Sequence, residues 1–363
     1  MHACRTRSDT TVLLWLTLAV GVAYANVLTG DFLFDDYNVI VYESQVHSWG
    51  AWFASLGNSI RPLLKLSYTL NWTMGTGVVG FHLLNLLIHL VNVYLVYRLA
   101  TEFVRQQWQH DTLKNVPFFT ALLFAVHPIH TEAVTYICGR SSSLMVVFYL
   151  AGLLCYVIGR TRRNAHYLYF ATPLLFLLAL GVKETAVTFP FVLLLWEIGC
   201  GGKWRAAFKA QWPTWVVLVS VAVFFLFSES YHSQMERSVQ FNGLSGNLAA
   251  QLSGFIYLLQ QFALPLWLNI DPDLPLFHDL SAATLPLVIT LVLFGLMIVC
   301  WRRRPWISFA LAWVMLHLIP LYLVLPRIDI ANERQLYLAA WPLLLVFALE
   351  LTLLLRGRNW KIV

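Results

Sequence analysis

Residues 79–99 read "VGFHLLNLLIHLVNVYLVYRL". The stretch holds no acid and no lysine, and its first permanent charge is Arg98. About 20 apolar residues in a helix rise about 30 Å, the thickness of the hydrocarbon core of a bilayer. The run lacks the alternation of a half-buried strand and is too long for a barrel strand. Similar runs recur along the chain. Of its 363 residues 59% are hydrophobic and 12% charged, where soluble domains carry about 25% charge; mean hydropathy is +0.67. These features define an all-α polytopic membrane protein.

Working outward from that run, candidate spans cover 11–29, 79–99, 116–135, 142–159, 165–182, 185–199, 211–228, 282–300, 306–325 and 335–355. This predicts a bundle of ten transmembrane helices, or up to twelve, forming a single membrane domain with no soluble one. Arg5, Arg7 and the "AYA" at 23–25 imitate a cleavable signal. The apolar run continues through Val27 and Leu28, so the segment reads as an uncleaved anchor.

Charge fixes the orientation. Seventeen of the 24 Lys and Arg fall in clusters such as Arg160/Arg162/Arg163 and Arg302/Arg303/Arg304, which share one side if the spans alternate. Thirteen of the 18 acids map to the other side. By the positive-inside rule both termini are cytoplasmic. The net charge of +6 therefore belongs to membrane boundaries, not to a nucleic-acid surface. The five cysteines are scattered and make neither a disulfide framework nor a thiolate metal site. Residues 250–268 would invert the "WRRR" at 301–304 if they crossed. They read instead as a re-entrant or interfacial helix with Gln251, Gln260 and Gln261 on its wet side.

The external connections are about 30–78, 229–281 and 326–334, and the first is long enough to carry a site. Within it, "VHSWGAWFASLGNS" (46–59) predicts a short interfacial helix. Just before lies "GDFLFDDYNVI" (30–40), with the adjacent acids Asp35 and Asp36. Four cations stand at the outer ends of spans: Arg61, Arg140, Lys183 and Arg334. Ionisable groups at membrane depth are costly and tend to line a site. Cations from separate helices facing a doubled carboxylate suggest an anionic ligand held near a general base. The competing reading pairs each base with its neighbouring acid, Lys183 with Glu184 and Arg334 with Glu333, or with lipid phosphate.

The blocks "FLFDDYNVI" (32–40), "RPLLKLSYTLNW" (61–72), "FAVHPIHTEAVTYICGRSSSL" (124–144), "GVKETAVTFPFVLLLWE" (181–197) and "ANERQLYLAAWPLL" (331–344) carry a resemblance. In this order they resemble the transmembrane and tetratricopeptide-repeat O-mannosyltransferases and their bacterial relatives, polyprenyl-phosphate-sugar-dependent glycosyltransferases of the GT-C class. The family's animal members add a repeat tail after the membrane part. The chain stops at Val363 without that tail, which turns the resemblance toward a bacterial-type relative or a truncated form of a longer protein; it also reads "ERQLYL" where "ERYLYL" is expected.

The resemblance implies a GT-C-like bundle that moves one sugar, mannose in the family, from a polyprenyl-phosphate donor to a hydroxyl acceptor with inversion. The acceptor is a protein Ser/Thr or a glycan. The site faces the periplasm in a bacterium, or the lumen of the endoplasmic reticulum in a eukaryote. One of Asp35 and Asp36 is the general base; the other binds a sugar hydroxyl, a divalent ion or a backbone amide. Adjacent carboxylates raise one another's proton affinity. Arg61, Arg140, Lys183 and Arg334 would hold the donor phosphate, Arg being apt because its fork matches phosphate oxygens. His127, His130 and Glu132, with Glu184 and Glu333, would touch sugar or acceptor or support the groups that do. The spacing of "HPIHTE" is not that of a zinc-binding HExxH helix, and Pro128 interrupts it, so no metal site is assigned. Asn85, His89 and Asn92 share one helix face and read as inter-helix hydrogen bonds.

Two rivals stand beside this reading. One is a related lipid-linked transferase moving an oligosaccharide or phosphoethanolamine. The other is a transporter or flippase of lipid-linked sugars, which would show repeated halves and mid-span charge; the sequence has neither.

Overall fold

The computed structural model describes residues 9–108, 113–226, 248–272, 283–324 and 331–355. Among these, every regular element is a helix. The chain divides into two compact units, one running to Val187 and including the end of the last helix from Phe347, the other from Thr188 to Val346.

In the first unit, α1 (Asp9–Ala23) opens with an acid in its first turn and runs into a 3-10 turn at Ala25–Thr29. The short α2 (Trp49–Ser55) begins where Ser48 caps it, its side chain accepting the Ala51 N–H at 3.2 Å. The short helix read from the sequence over 46–59 is present here. α3 (Pro62–Met74) has Pro at its first position and ends at Gly75, whose φ of +65° only glycine adopts cheaply. Thus much of the stretch 30–78 is helical rather than loop.

The 31 residues of α4 (Gly77–Gln107) are the backbone of this unit. α1, α5 (Val116–Val126) and α7 (Arg140–Arg162) pack on it, α8 (Thr172–Val182) packs on α7, and α3 on α8. Between α5 and α7 the chain breaks repeatedly: His127 is extended before Pro128, a 3-10 turn covers Pro128–His130, α6 covers Thr131–Thr135, and a second 3-10 turn covers Ile137–Gly139. Each break frees carbonyls that a continuous helix would bind, and away from water these need donors. α4 supplies them. Asn85 Nδ2 donates to the Val134 and Tyr136 carbonyls at 3.2 and 3.3 Å, and Asn92 Nδ2 donates to Ser143 O at 2.8 Å. His89 Nε2 meets the Ala125 carbonyl at 3.2 Å. The face read as inter-helix hydrogen bonds makes those bonds. Asn71, in the sequon-like "NWT", is also committed: it is buried and donates to Gly80 O at 3.0 Å.

In the second unit, α9 (Phe189–Gly199) packs against α10 (Trp204–Ala210), α11 (Trp212–Leu226) and α14 (Pro305–Val324), and α13 (Thr284–Cys300) packs on α14. α15 (Leu336–Leu355) follows a 3-10 turn at Glu333–Gln335. Trp313 and Trp341 are fully buried at the core, and Trp313 Nε1 donates to Leu338 O at 3.0 Å. A helix over 248–263, here α12, corresponds to the segment read as interfacial. Its Gln251 and Gln261 are buried, on the same stripe as Phe255 and Leu258, and Gln260 alone of the three is exposed. The wet side expected there is corrected: the glutamines follow the helical stripe into the unit.

Each segment read as a span contains a helix, but many are short. Among the described residues three helices have the length and composition to cross a membrane, Gly77–Gln107, Ile137–Arg162 and Glu333–Leu355, or four if α10 and α11, bent by 66°, form one span. The 11 residues of α5 and of α9 rise about 17 Å, short of about 30 Å. Proline sets the limit, at 128 after α5 and at 190 inside the first turn of α9.

Candidate active site

The acid pair is split by the backbone. Phe34 takes a φ of +44°, a left-handed conformation that a side-chain-bearing residue adopts only at a cost. Its ring is 64% exposed, Asp35 beside it is exposed, and Asp36 is fully buried. Asp36 accepts two backbone hydrogen bonds, from Leu33 N at 3.0 Å and from Cys138 N at 2.8 Å. The Asp35 backbone N–H donates to the Tyr136 hydroxyl at 3.0 Å. Both residues are thereby tied to the turn before α7, and of the roles open to the second acid the backbone amide is the one observed. Burial pushes the Asp36 carboxyl above the ordinary carboxylate range; its hydrogen bonds to Cys138 and Leu33 and the nearby His82 pull downward without overcoming it.

That turn exists because Gly139 stands against the chain. A Cβ there would run into the Glu132 carbonyl oxygen and stand 3.1 Å from the Ala133 Cα. With no side chain at 139, the segment folds back on α6, aiming the Cys138 N–H at Asp36 and the Arg140 side chain inward. Arg140 is fully buried. Its Nε donates to Asn85 Oδ1 at 2.6 Å, Nη1 to the Ser67 carbonyl at 3.1 Å, and Nη2 to the Phe81 carbonyl at 2.9 Å. The guanidinium also lies 5.1 Å from the Tyr68 ring centroid and 5.4 Å from that of Phe81.

Arg61 and Glu184 form a two-point ion pair across 123 residues, with Nε to Oε2 at 3.0 Å and Nη2 to Oε1 at 2.7 Å. Burial alone would raise the Glu184 carboxyl, but the Arg61 charge and hydrogen bonds, helped by Lys183, hold it down at about 2. Lys183 is buried and donates to Ser142 Oγ at 2.7 Å. The ion pair expected between sequence neighbours is made instead across the chain, with Arg61 as the fork that grips Glu184. Arg61, Asp36 and Arg140 are brought together in one neighbourhood: the charge of each is felt by the same two groups, Tyr68 and Cys138.

His127, His130 and Glu132 lie at the turn after α5. His127 Nδ1 accepts the Ile129 N–H at 3.2 Å. His130 is fully buried, its ring 4.3 Å from that of Phe124 and 6.1 Å from that of His89. Glu132 is buried. Among the described residues no three His, Cys, Asp or Glu side chains are placed to hold a metal ion. Glu333 and Arg334 belong to the other unit, where Glu333 is buried and accepts the Asn269 N–H at 2.7 Å and Arg334 is half-buried.

Sequence reasoning missed Cys138, Tyr136 and Ser67 as partners. Two of the three bonds are made by backbone groups and leave no trace in residue type. It also missed the stack of His47 on Trp72, centroids 3.8 Å apart and 7° from parallel, which closes the loop beyond the acids. His47 faces the Ile40 carbonyl at 2.8 Å.

With this geometry in place, comparison with known proteins bears on the reading. The chain is 33% identical over 172 residues to a protein O-mannosyl-transferase of Caenorhabditis elegans, covering 43% of this chain and 24% of that protein. It is 33% identical over 215 residues to the protein O-mannosyl-transferase Tmtc2 of Drosophila melanogaster, 53% of this chain and 22% of the other. It is 32% identical over 168 residues to the Homo sapiens protein O-mannosyl-transferase TMTC4, 39% and 23% respectively. The chain is similar to animal protein O-mannosyl-transferases. It spans about a quarter of the length of the curated relatives it matches. No protein-family model and no solved structure matches it.

Proposed function

We propose that the chain is a membrane glycosyltransferase that moves a single sugar, mannose by likeness to its relatives, from a polyprenyl-phosphate donor to a protein hydroxyl. The reaction runs on the non-cytoplasmic face, periplasmic or luminal. The observation that carries the reading is the unequal acid pair. Asp36 is fixed by two backbone N–H groups while Asp35, one residue earlier, is open to a substrate.

Asp35 is the general base in this reading and Asp36 is its anchor. The acceptor O–H gives its proton to Asp35, its oxygen bonds to the anomeric carbon, and polyprenyl phosphate leaves from the opposite face with the electron pair. The configuration inverts. Arg61 and Lys183 stabilise the leaving phosphate, and Glu184 holds the Arg61 fork in its plane. His127, His130 and Glu132 shape the sugar side of the site.

The test is transfer from polyprenyl-phosphate mannose to a Ser/Thr-containing protein by the full chain in detergent. Asp35→Asn should lower kcat by about 10²- to 10⁴-fold, the range of general-base help, with thermal stability unchanged. Full activity of Asp35→Asn would remove Asp35 as the base, and full activity of both Asp35→Asn and Asp36→Asn would end the role of the pair.

A further inference from the structure

A fully buried guanidinium is costly and needs a reason. Arg140 is fully buried, and its three nitrogens are spent on neutral acceptors from two other helices: Ser67 on α3, and Phe81 and Asn85 on α4. Asn85 is itself shared. Its amide holds the Val134 and Tyr136 carbonyls while its oxygen accepts from Arg140. Two residues before Arg140, Cys138 gives its N–H to Asp36. Tyr136, whose carbonyl Asn85 holds, offers its hydroxyl to the N–H of Asp35. One fork therefore reaches both acids through the backbone of residues 136–140.

We infer that Arg140 is a positioning residue: by clamping the 136–140 turn to α3 and α4 it sets the Cys138 N–H and Tyr136 hydroxyl that hold the Asp35–Asp36 loop. Only arginine serves, because a planar fork with separate donors can bridge three segments, whereas a lysine ammonium offers one point on a flexible stem. The inference rests on the transferase reading for its kinetic consequences, but the clamp itself is independent of it.

The experiment uses the full chain in detergent with two variants, Arg140→Lys, which keeps charge and loses the fork, and Asn85→Ala, which leaves Arg140 and removes one anchor. Hydrogen exchange at the Cys138 amide, read by mass spectrometry, should quicken about tenfold or more in both. With polyprenyl-phosphate mannose as donor, kcat should fall about tenfold or more while donor KM stays within about twofold. The titratable and charged groups around Asp36 are Tyr68 on α3, His82 on α4, Tyr136 and Cys138 in the turn, and Arg140. Loosening the Cys138 bond destabilises the ionised form of the anchoring Asp36, so on acidification the anchor, and with it kcat, should fail at a higher pH than in the wild type. A donor KM raised about tenfold with kcat, pH profile and exchange unchanged would make Arg140 a donor ligand and overturn the inference. Unchanged exchange in both variants would overturn it as well. A wild-type chain that transfers no mannose would refute the transferase reading, and the exchange rates would still decide the clamp.

Discussion

Asp36 Oδ1 and the backbone N–H of Cys138 are 2.8 Å apart across 102 residues of chain. The bond joins the segment between α1 and α3 to the start of a membrane-length helix, and it does so through a carboxylate with no exposed surface. A backbone donor at the end of a braced turn holds its direction better than a long side chain would. The result is one acid immobilised and its neighbour presented, a division of labour that two adjacent carboxylates on a free loop would not have.

Gly139 is the position on which this bond depends. A Cβ at 139 meets backbone, the Glu132 carbonyl and the Ala133 Cα, rather than the movable end of a side chain. Gly139→Ala should therefore cost about 1–3 kcal/mol, as overpacking does, and pull Cys138 away from Asp36. Thermal unfolding in detergent should show the lower midpoint, and Cys138, buried in the wild type, should react faster with a maleimide. An unchanged midpoint and unchanged labelling would mean that the turn relaxes without moving Cys138.

How far the sequence reached depends on what it encodes locally. Helix-forming runs and the acid pair are properties of short windows, and each lies where it was read. Several helices are shorter than the apolar runs that hold them, because hydropathy passes smoothly through Pro128 while the backbone does not: α5 stops at Val126. Gln251 and Gln261 were read as wet because they are polar, yet the helical period carries them inward with Phe255 and Leu258. Partner choice was the hardest to see. Glu184 follows Lys183 in sequence, but its two-point partner is Arg61, 123 residues away. The donor to Asp36 is a main-chain N–H, which every non-proline residue has.

The Arg61–Glu184 pair makes stability depend on pH in a definite direction. Glu184 has its carboxyl lowered to about 2 from 4.5, so the folded protein releases that proton more readily than the unfolded chain. The stabilisation is present above about pH 4.5 and is lost as pH falls toward about 2. The side chains are 37% and 21% exposed for Arg61 and Glu184, so solvent screening reduces the effect to about 1 kcal/mol. Thermal midpoints measured between pH 5 and pH 2.5 should fall more in the wild type than in Glu184→Gln. Parallel curves for the two proteins would show that the pair adds nothing to the fold.

Phe34 gives the last prediction, because its backbone and its ring make opposite demands. At φ +44° a β-substituted residue pays about 1 kcal/mol that glycine does not, and Phe34→Gly relieves that strain while loosening the unfolded chain by a similar amount. The exposed ring contributes little burial to lose. Stability of Phe34→Gly should therefore stay within about 0.5 kcal/mol of wild type, whereas Phe34→Val, β-branched and stiff, should lose about 1–2 kcal/mol. If the left-handed turn is what presents Asp35, sugar transfer should follow the backbone: near wild type in Phe34→Gly, and reduced at least severalfold in Phe34→Val. If instead the exposed ring contacts the acceptor, Phe34→Gly would raise acceptor KM with kcat and stability unchanged, and the turn would lose its assigned part in presenting the base.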